Sequence, residues 1–278
     1  MKLVRYGAPG AERPGILDGD GRIRDVSNLV ADFAGEALSP ASLERIRKAD
    51  LAALPLVEAD VRLGSCVAKP GHFIAIGLNY VDHAHESNMP IPSEPVVFSK
   101  APSSISGPTD DVVMPEGSEK SDWEVEIAMV IGTAAFNVSE AQALDHVAGF
   151  CICNDVSERS YQIERGGQWI KGKSMPTYGP VGPWLVTRDE IADVQNLGLW
   201  LDINGERRQT GSTSSMIFSL AHIVSYLSRF MRLEPGDIIT TGTPPGVGMG
   251  MKPPTYLKRG DVMTLGIDGL GEQRQTVR

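Results

Sequence analysis

The sequence predicts an α+β fold that is mainly β, preceded by a small N-terminal α+β unit. Three observations predict it. Short apolar runs bounded by turn residues recur along the chain, the pattern of strands. The 278 residues include 30 Gly and 19 Pro, which favours many turns over long helices. Only two or three stretches carry helix-start chemistry followed by helical periodicity. With 41% hydrophobic and 22% charged residues, the chain can bury a full core. The expected division sets residues 1–70 apart from residues 71–278.

Charge and composition exclude several function classes. The net charge of −9 comes without a basic stripe, which argues against nucleic acid as a partner. The N-terminus, Met1-Lys2-Leu3-Val4-Arg5, has no long apolar run, so no secretory leader is expected. No apolar run approaches the length that spans a membrane. Cys66, Cys151 and Cys153 form no metal or redox spacing and read as buried packing. A cytoplasmic, disulfide-free protein is expected.

Lys2 to Tyr6 reads as a short strand, and Gly15 to Ile23 as a hairpin with Asp-Gly turn chemistry. Ser39 and Pro40 mark a helix start as N-cap and first helical residue, with Leu43 and Ile46 on the apolar face. Phe73 to Ile76 is a buried strand ended by Gly77. Next comes Asn79-Tyr80-Val81-Asp82-His83-Ala84-His85-Glu86, in which a helical turn makes His83 and Glu86 neighbours at i, i+3. A carboxylate beside an imidazole fixes its tautomer and raises its basicity, which suits a general base. The bland alternative is a solvated helix with incidental polar groups. Asn88 to Pro95 is a loop suited to a lid hinge, and Val96 to Lys100 is another strand.

Trp123 to Gly132 is the stretch with the most chemical content. Its β-branched and large apolar residues make it a strand, and alternation puts Glu124 and Glu126 on one face. Two carboxylates side by side on a buried strand repel each other and resist desolvation, and a hard divalent cation would relieve both. The bland alternative is an edge strand with a solvated polar face. Ser139 and Gln142 read as a capping box, with Ala141, Leu144, Val147 and Ala148 in a helix ending at Gly149. Phe150 to Asn154 is an apolar strand whose end delivers Asp155 as a third carboxylate. Arg159 and Gln162 follow at the spacing of one helix face, and Arg is the natural fork for a substrate carboxylate. The alternative for Arg159 is a surface pair with Glu158 or Glu164.

The Gly166 to Ser174 loop carries Lys171 and Lys173 but lacks the spacing of a phosphate-binding loop. Leu199 to Arg208 is a hairpin with Asn204-Gly205 at its turn. Ser215 to Arg232 reads as the long helix, with Met216, Leu220, Ile223, Val224, Leu227, Phe230 and Met231 as its stripe and His222 off it. Ile238 to Thr241 runs into Gly242 to Gly248, a loop of backbone N–H groups suited to an anion. Val262 to Ile267 is the expected last strand.

Taken together, these motifs resemble the fumarylacetoacetate hydrolase family. The residues that carry the resemblance are Gly77-Leu78-Asn79-Tyr80 with His83 and Glu86, Glu124-Val125-Glu126, and Asn154-Asp155 with Arg159 and Gln162. Gly172-Lys173, Pro180-Val181-Gly182-Pro183 and Thr241-Gly242-Thr243-Pro244 complete the set. The resemblance spans about residues 70 to 278. It implies a mixed β-roll core, a homodimer, and a divalent cation held by Glu124, Glu126 and Asp155: Mg²⁺, with Mn²⁺ or Ca²⁺ as alternatives. It implies that His83 and Glu86 activate water on a segment that orders with substrate. It implies further that Lys173 stabilises a carbonyl or oxyanion, and that Arg159, Gln162, Thr243 and Tyr80 surround the substrate. Members that cleave fumarylacetoacetate carry an additional Asp ligand before the Tyr. This chain has no match for it, which points to the shorter bacterial-type members and away from that substrate.

The implied reaction is hydrolysis of a C–C bond in a 2,4-diketo acid to pyruvate and a carboxylic acid. Gly211-Ser212-Thr213-Ser214 resembles members acting on 2,4-diketo-3-deoxy sugar acids, such as the L-rhamnonate or L-fuconate derivatives. The same site also suits an oxaloacetate decarboxylase, a 2-oxo acid hydratase or tautomerase, or a ureidoglycolate lyase. A non-catalytic 2-oxo acid binder is the alternative of another class, against which His83, Glu86 and Lys173 weigh.

Overall fold

The computed structural model describes residues 1–86 and 90–278. The N-terminal unit contains β1 (Lys2–Tyr6), β2 (Arg13–Leu17), β3 (Ile23–Asp25) and α1 (Pro40–Arg47). Ser39 caps α1 by accepting a hydrogen bond from the Ser42 amide. Then follow β4 (Phe73–Gly77), α2 (Val81–Glu86), β5 (Val96–Lys100), β6 (Ile105–Ser106), β7 (Ser121–Asp122) and β8 (Val125–Ile131). α3 (Glu140–Ala143), β9 (Val147–Asn154), β10 (Ser157–Glu158), α4 (Arg159–Ile163), α5 (Ile170–Lys173) and β11 (Gly179–Thr187) come next. The chain closes with β12 (Gly198–Ile203), β13 (Glu206–Ser212), α6 (Leu220–Leu227), β14 (Ile238–Thr240), β15 (Val262–Ile267) and β16 (Gly271–Thr276).

Among the described residues the main sheet runs β3-β2-β1-β11-β9-β8-β14-β4-β5, with β6 beside β11. β14 and β4 pair in parallel while β8 and β9 are antiparallel, so the sheet is mixed. β1 pairs with β11, so residues 1–70 extend the same sheet. A second, four-stranded sheet runs β13-β12-β15-β16. Two apolar layers cover the two faces of β8. Val125, Ile127 and Met129 pack against α6 and the second sheet, whereas Ala128 and Val130 pack against Phe33, Leu38 and Ile46 of the N-terminal unit. Burying each of the Val, Leu, Ile, Met and Phe side chains among these stabilises the fold by roughly 1.5–3 kcal/mol. No helix among the described residues is long and apolar enough to cross a membrane.

The Glu124/Glu126 stretch is not an edge. β8 lies between β9 and β14, and Glu124 and Glu126 are 4% and 1% exposed. The helix expected from Ala141 to Gly149 stops early. Gly132 donates to the His146 carbonyl and Val130 pairs with Gly149, which draws residues 147–149 into β9. Nor does Ser139 form the capping box, since its hydroxyl bonds the Gln142 side-chain oxygen instead of a backbone amide.

The long helix is also shorter than its stripe suggests. The Ile217 amide donates to the Asn79 carbonyl and the Phe218 amide to Asn79 Oδ1, which holds this segment across from Tyr80. Ser219 then caps α6. At the far end the Ser228 carbonyl and hydroxyl accept from Asn137 and Val138, and Phe230 is left 65% exposed. Both losses have one physical cause: long-range backbone partners outbid helical continuation. A further strand, β16, follows the one expected to be last. The lid-hinge expectation for 88–95 falls partly outside the described residues.

Candidate metal centre and catalytic pocket

The register of β8 and β9 builds the acidic cluster. Val125 pairs with Asn154, and the Asp155 amide donates to the Glu124 carbonyl, so Asp155 arrives beside Glu124. Glu124, Glu126 and Asp155 each offer a carboxylate oxygen, all within 4.8 Å of one another, and all three are buried. Around them stand three cations. Lys173, on α5, places its ammonium 2.6 Å from Glu124 Oε2 and 2.7 Å from Asp155 Oδ2. Lys100, at the end of β5, lies 2.6 Å from Asp155 Oδ1. Arg159 opens α4, with Nε 2.8 Å from Asp122 Oδ2 and Nη2 2.7 Å from Glu124 Oε1. Its Nη1 donates to Gln162 Oε1 at 3.0 Å. The surface pairing with Glu158 or Glu164 does not form. Glu158 accepts instead from Ser118 and Ser160, and Glu164 pairs with Lys120.

Electrostatics separates the two glutamates. Burial resists ionisation of Glu124, yet the Lys173 and Arg159 cations hold its carboxyl well below the usual carboxylate range. Burial pushes Glu126 well above that range, and the Asp155 and Glu124 charges push it further. Its one hydrogen bond among the described residues is from the Gly242 amide, 2.9 Å away. Four carboxyl groups, with Asp122, thus face three cations in a desolvated shell, so ionisation of all four would leave one negative charge uncompensated and Glu126 resists it. An all-oxygen donor set with this deficit fits a hard dication. Glu124, Glu126 and Asp155 are the residues that could hold it.

His83 and Glu86 meet as the helical turn requires. His83 Nδ1 lies 3.3 Å from Glu86 Oε2 on α2. Glu86 is itself fixed by the Gly246 amide, at 3.0 and 3.1 Å, and the Trp123 indole donates to the Gly246 carbonyl. Glu86 therefore sits behind His83, and its acceptor favours the tautomer protonated at Nδ1. The Nε2 lone pair is left for the cavity. The Gly242 to Gly248 loop does cradle anions, but they belong to the protein. Gly242 donates to Glu126, Gly246 to Glu86, and Gly248 to Asp122 at 2.7 Å.

A cavity of about 200 Å³ joins these groups, lined by His83, Glu124, Glu126, Asp155, Arg159, Gln162, Lys173 and Thr243. Thr243 has its hydroxyl hydrogen committed to the Val125 carbonyl and accepts from Gln209, so it contributes shape more than a free donor. Asp122 and Gln162 accept from Arg159 and Glu124 pairs with its charge, while Nη2 is buried without a hydrogen-bond partner among the described residues, which leaves about three of the five guanidinium N–H bonds for a ligand. Tyr80 is not among the described residues lining this cavity, although the Glu126 charge acts on its hydroxyl. It lines a separate cavity with Asp82 and Pro244, and its buried hydroxyl lacks a hydrogen-bond partner among the described residues. Asp122 and Lys100 join the site in addition to the residues expected from the sequence. Each had a signal: Asp122 is in phase with Glu124 and Glu126, and Lys100 is an unexplained cation ending an apolar strand. His222 stacks between Phe218 and Tyr226, beside Glu140, away from the acidic cluster.

The family model for the fumarylacetoacetate hydrolase C-terminal region matches residues 72–278. The chain belongs to the fumarylacetoacetate hydrolase family. A relative from Burkholderia multivorans, named only as a hydrolase, is 61% identical over 279 residues, covering 100% of this chain and 99% of its own. Among solved structures, fumarylacetoacetate hydrolase from Exiguobacterium antarcticum is 38% identical with a TM-score of 0.89, covering 100% of this chain and 99% of that one. Maleylpyruvate hydrolase from Sphingobium, solved with manganese and pyruvate, is 30% identical with a TM-score of 0.83, covering 100% and 98%. The family's mixed, mainly β fold is the one described above.

Proposed function

We propose that this member is a divalent-metal-dependent hydrolase that cleaves a 2,4-diketo acid at its C3–C4 bond, giving pyruvate and a carboxylic acid. The carrying observation is the buried cluster of Glu124, Glu126 and Asp155, with oxygens within 4.8 Å of one another, beside an oriented His83–Glu86 pair. A dication such as Mg²⁺ or Mn²⁺ on Glu124, Glu126 and Asp155 would supply Lewis-acid charge for the 2-oxo acid head and its enolate. With a monoanionic substrate, the buried shell reaches neutrality.

The remaining steps belong to the chain's own side chains. The free N–H bonds of Arg159 and the Gln162 amide orient the substrate carboxylate. His83 Nε2 takes a proton from water, and the hydroxide adds to the 4-carbonyl carbon. Lys173 spends two of its three N–H bonds on Glu124 and Asp155 and keeps one for the developing oxyanion. Collapse of the tetrahedral adduct breaks C3–C4 and leaves the electron pair on the pyruvate enolate. The proton on His83 then returns to C3. Glu86 stabilises the imidazolium between these transfers.

The test is a product assay by mass, with Mn²⁺ or Mg²⁺, on acylpyruvates, 2,4-diketo-3-deoxy sugar acids and oxaloacetate. Pyruvate plus a carboxylic acid is expected from the diketo acids. Carbon dioxide from oxaloacetate, with no cleavage of any diketo acid, would replace hydrolysis by decarboxylation.

A further inference from the structure

The cavity has two chemically different ends. Its charged and polar side chains are all buried, from Asp155 at 0% exposed to His83 at 6%. Among the described residues, the other side chains lining it are Ile76, Leu78, Phe98, Ile163, Trp169 and Met249. One indole N–H is the only conventional hydrogen-bonding group among those six. Most of them are partly exposed, and Ile163 is 50% exposed, so the apolar wall leads from the buried head site towards solvent. It begins directly at the charged cluster, since the Lys173 ammonium lies 5.2 Å from the Phe98 ring centroid.

The wall is built by the same elements that build the head site. On β5, Phe98 and Lys100 alternate onto one face, one supplying the wall and the other the counter-charge to Asp155. On α4, Ile163 follows Gln162. Trp169 packs 5.2 Å from Phe98, centroid to centroid. It reaches this position because Gly77 has no side chain: a Cβ there would sit 2.4 Å from the indole ring.

We infer that this wall selects the acyl end of the substrate, and that the enzyme takes 2,4-diketo acids with an apolar, alkyl or aryl, acyl group in preference to polyhydroxylated sugar-acid chains. This inference rests on the function proposed above for the head site. A polyol tail would exchange water for side chains that, apart from the one Trp169 indole N–H, cannot hydrogen-bond its hydroxyls. An apolar tail is removed from water against rings and branched chains.

The test separates binding from cleavage by using 2-oxo acids that lack a 4-carbonyl. Calorimetric titration of the Mn²⁺-loaded protein compares pyruvate, 2-oxobutanoate, 2-oxohexanoate, phenylpyruvate and a polyhydroxylated 2-keto-3-deoxy acid. Affinity is expected to rise about fourfold per added methylene. Phenylpyruvate should bind at least about tenfold tighter than pyruvate, with the polyhydroxylated acid gaining nothing over it. Ile163→Asn, a half-exposed position that folding tolerates, should flatten the series. Affinities independent of the tail, or highest for the polyhydroxylated acid, would overturn the inference while leaving the proposed hydrolysis untouched. Failure to cleave any diketo acid, with the series intact, would instead overturn the hydrolysis and keep the wall.

Discussion

Replacing Lys173 with Met separates the two roles that cations play in this site. Met keeps the length and the apolar stem beside Phe98 but removes the charge. Lys173 is 2% exposed and touches two carboxylates, at 2.6 and 2.7 Å. Taking one partner out of a buried ion pair costs about 3–5 kcal/mol, because the remaining charges stay desolvated. In the metal-free protein this should lower the melting temperature by on the order of 10 °C for a chain of this size. Proton uptake by a carboxylate is the alternative relief, so the deficit should grow as pH rises. A dication replaces the missing positive charge without competing against it. Mn²⁺ should therefore raise the melting temperature of the variant by more than it raises that of the unaltered protein. Thermal scans of both proteins, with chelator and with Mn²⁺, measure these differences. Equal metal-free stability, or a smaller metal-induced rise in the variant, would refute the charge-compensation reasoning.

Three further outcomes are expected. Glu126→Gln should fold normally and lose Mn²⁺ affinity by at least about 100-fold in a calorimetric titration, and retained affinity would remove Glu126 from the ligand set. His83→Ala should keep metal affinity and lose about 10²–10⁴-fold in kcat, and unchanged turnover would remove the pair with Glu86 from the chemistry. Glu126 has its folded-state pKa raised by burial and by Asp155 and Glu124. Between the ordinary carboxylate value and that raised one, the metal-free protein should lose stability as pH rises. Over the same range metal binding should release a proton and tighten with pH. Calorimetry in buffers of different ionisation enthalpy reads that proton, and a buffer-independent heat would contradict the shift.

Much of the site was legible in the sequence because its logic is local. Glu124 and Glu126 share a face by strand alternation, and His83 and Glu86 meet by helical spacing. Asp155 was legible because it ends an apolar strand. What stayed hidden depends on tertiary register. Lys100 stands out as a cation ending an apolar strand, but that local signal does not name Asp155 as the partner β5 aims it at. The short reach of α6 is likewise set by Asn79 and by the Asn137–Val138 amides, more than a hundred and about ninety residues away in sequence from their partners. The loop from Gly242 showed its anion-binding chemistry in sequence but not its ligands, because Glu126, Glu86 and Asp122 arrive from three other elements.

The most direct measurement is single-turnover cleavage of an aryl acylpyruvate in ¹⁸O-labelled water, with Mn²⁺ present and the carboxylic acid product read by mass. Hydroxide addition to the 4-carbonyl, with His83 as base, predicts one labelled oxygen in that acid in the unaltered protein and little product from His83→Ala. Unlabelled acid, or carbon dioxide as the released fragment, would contradict hydrolysis at C3–C4 and the role given to His83.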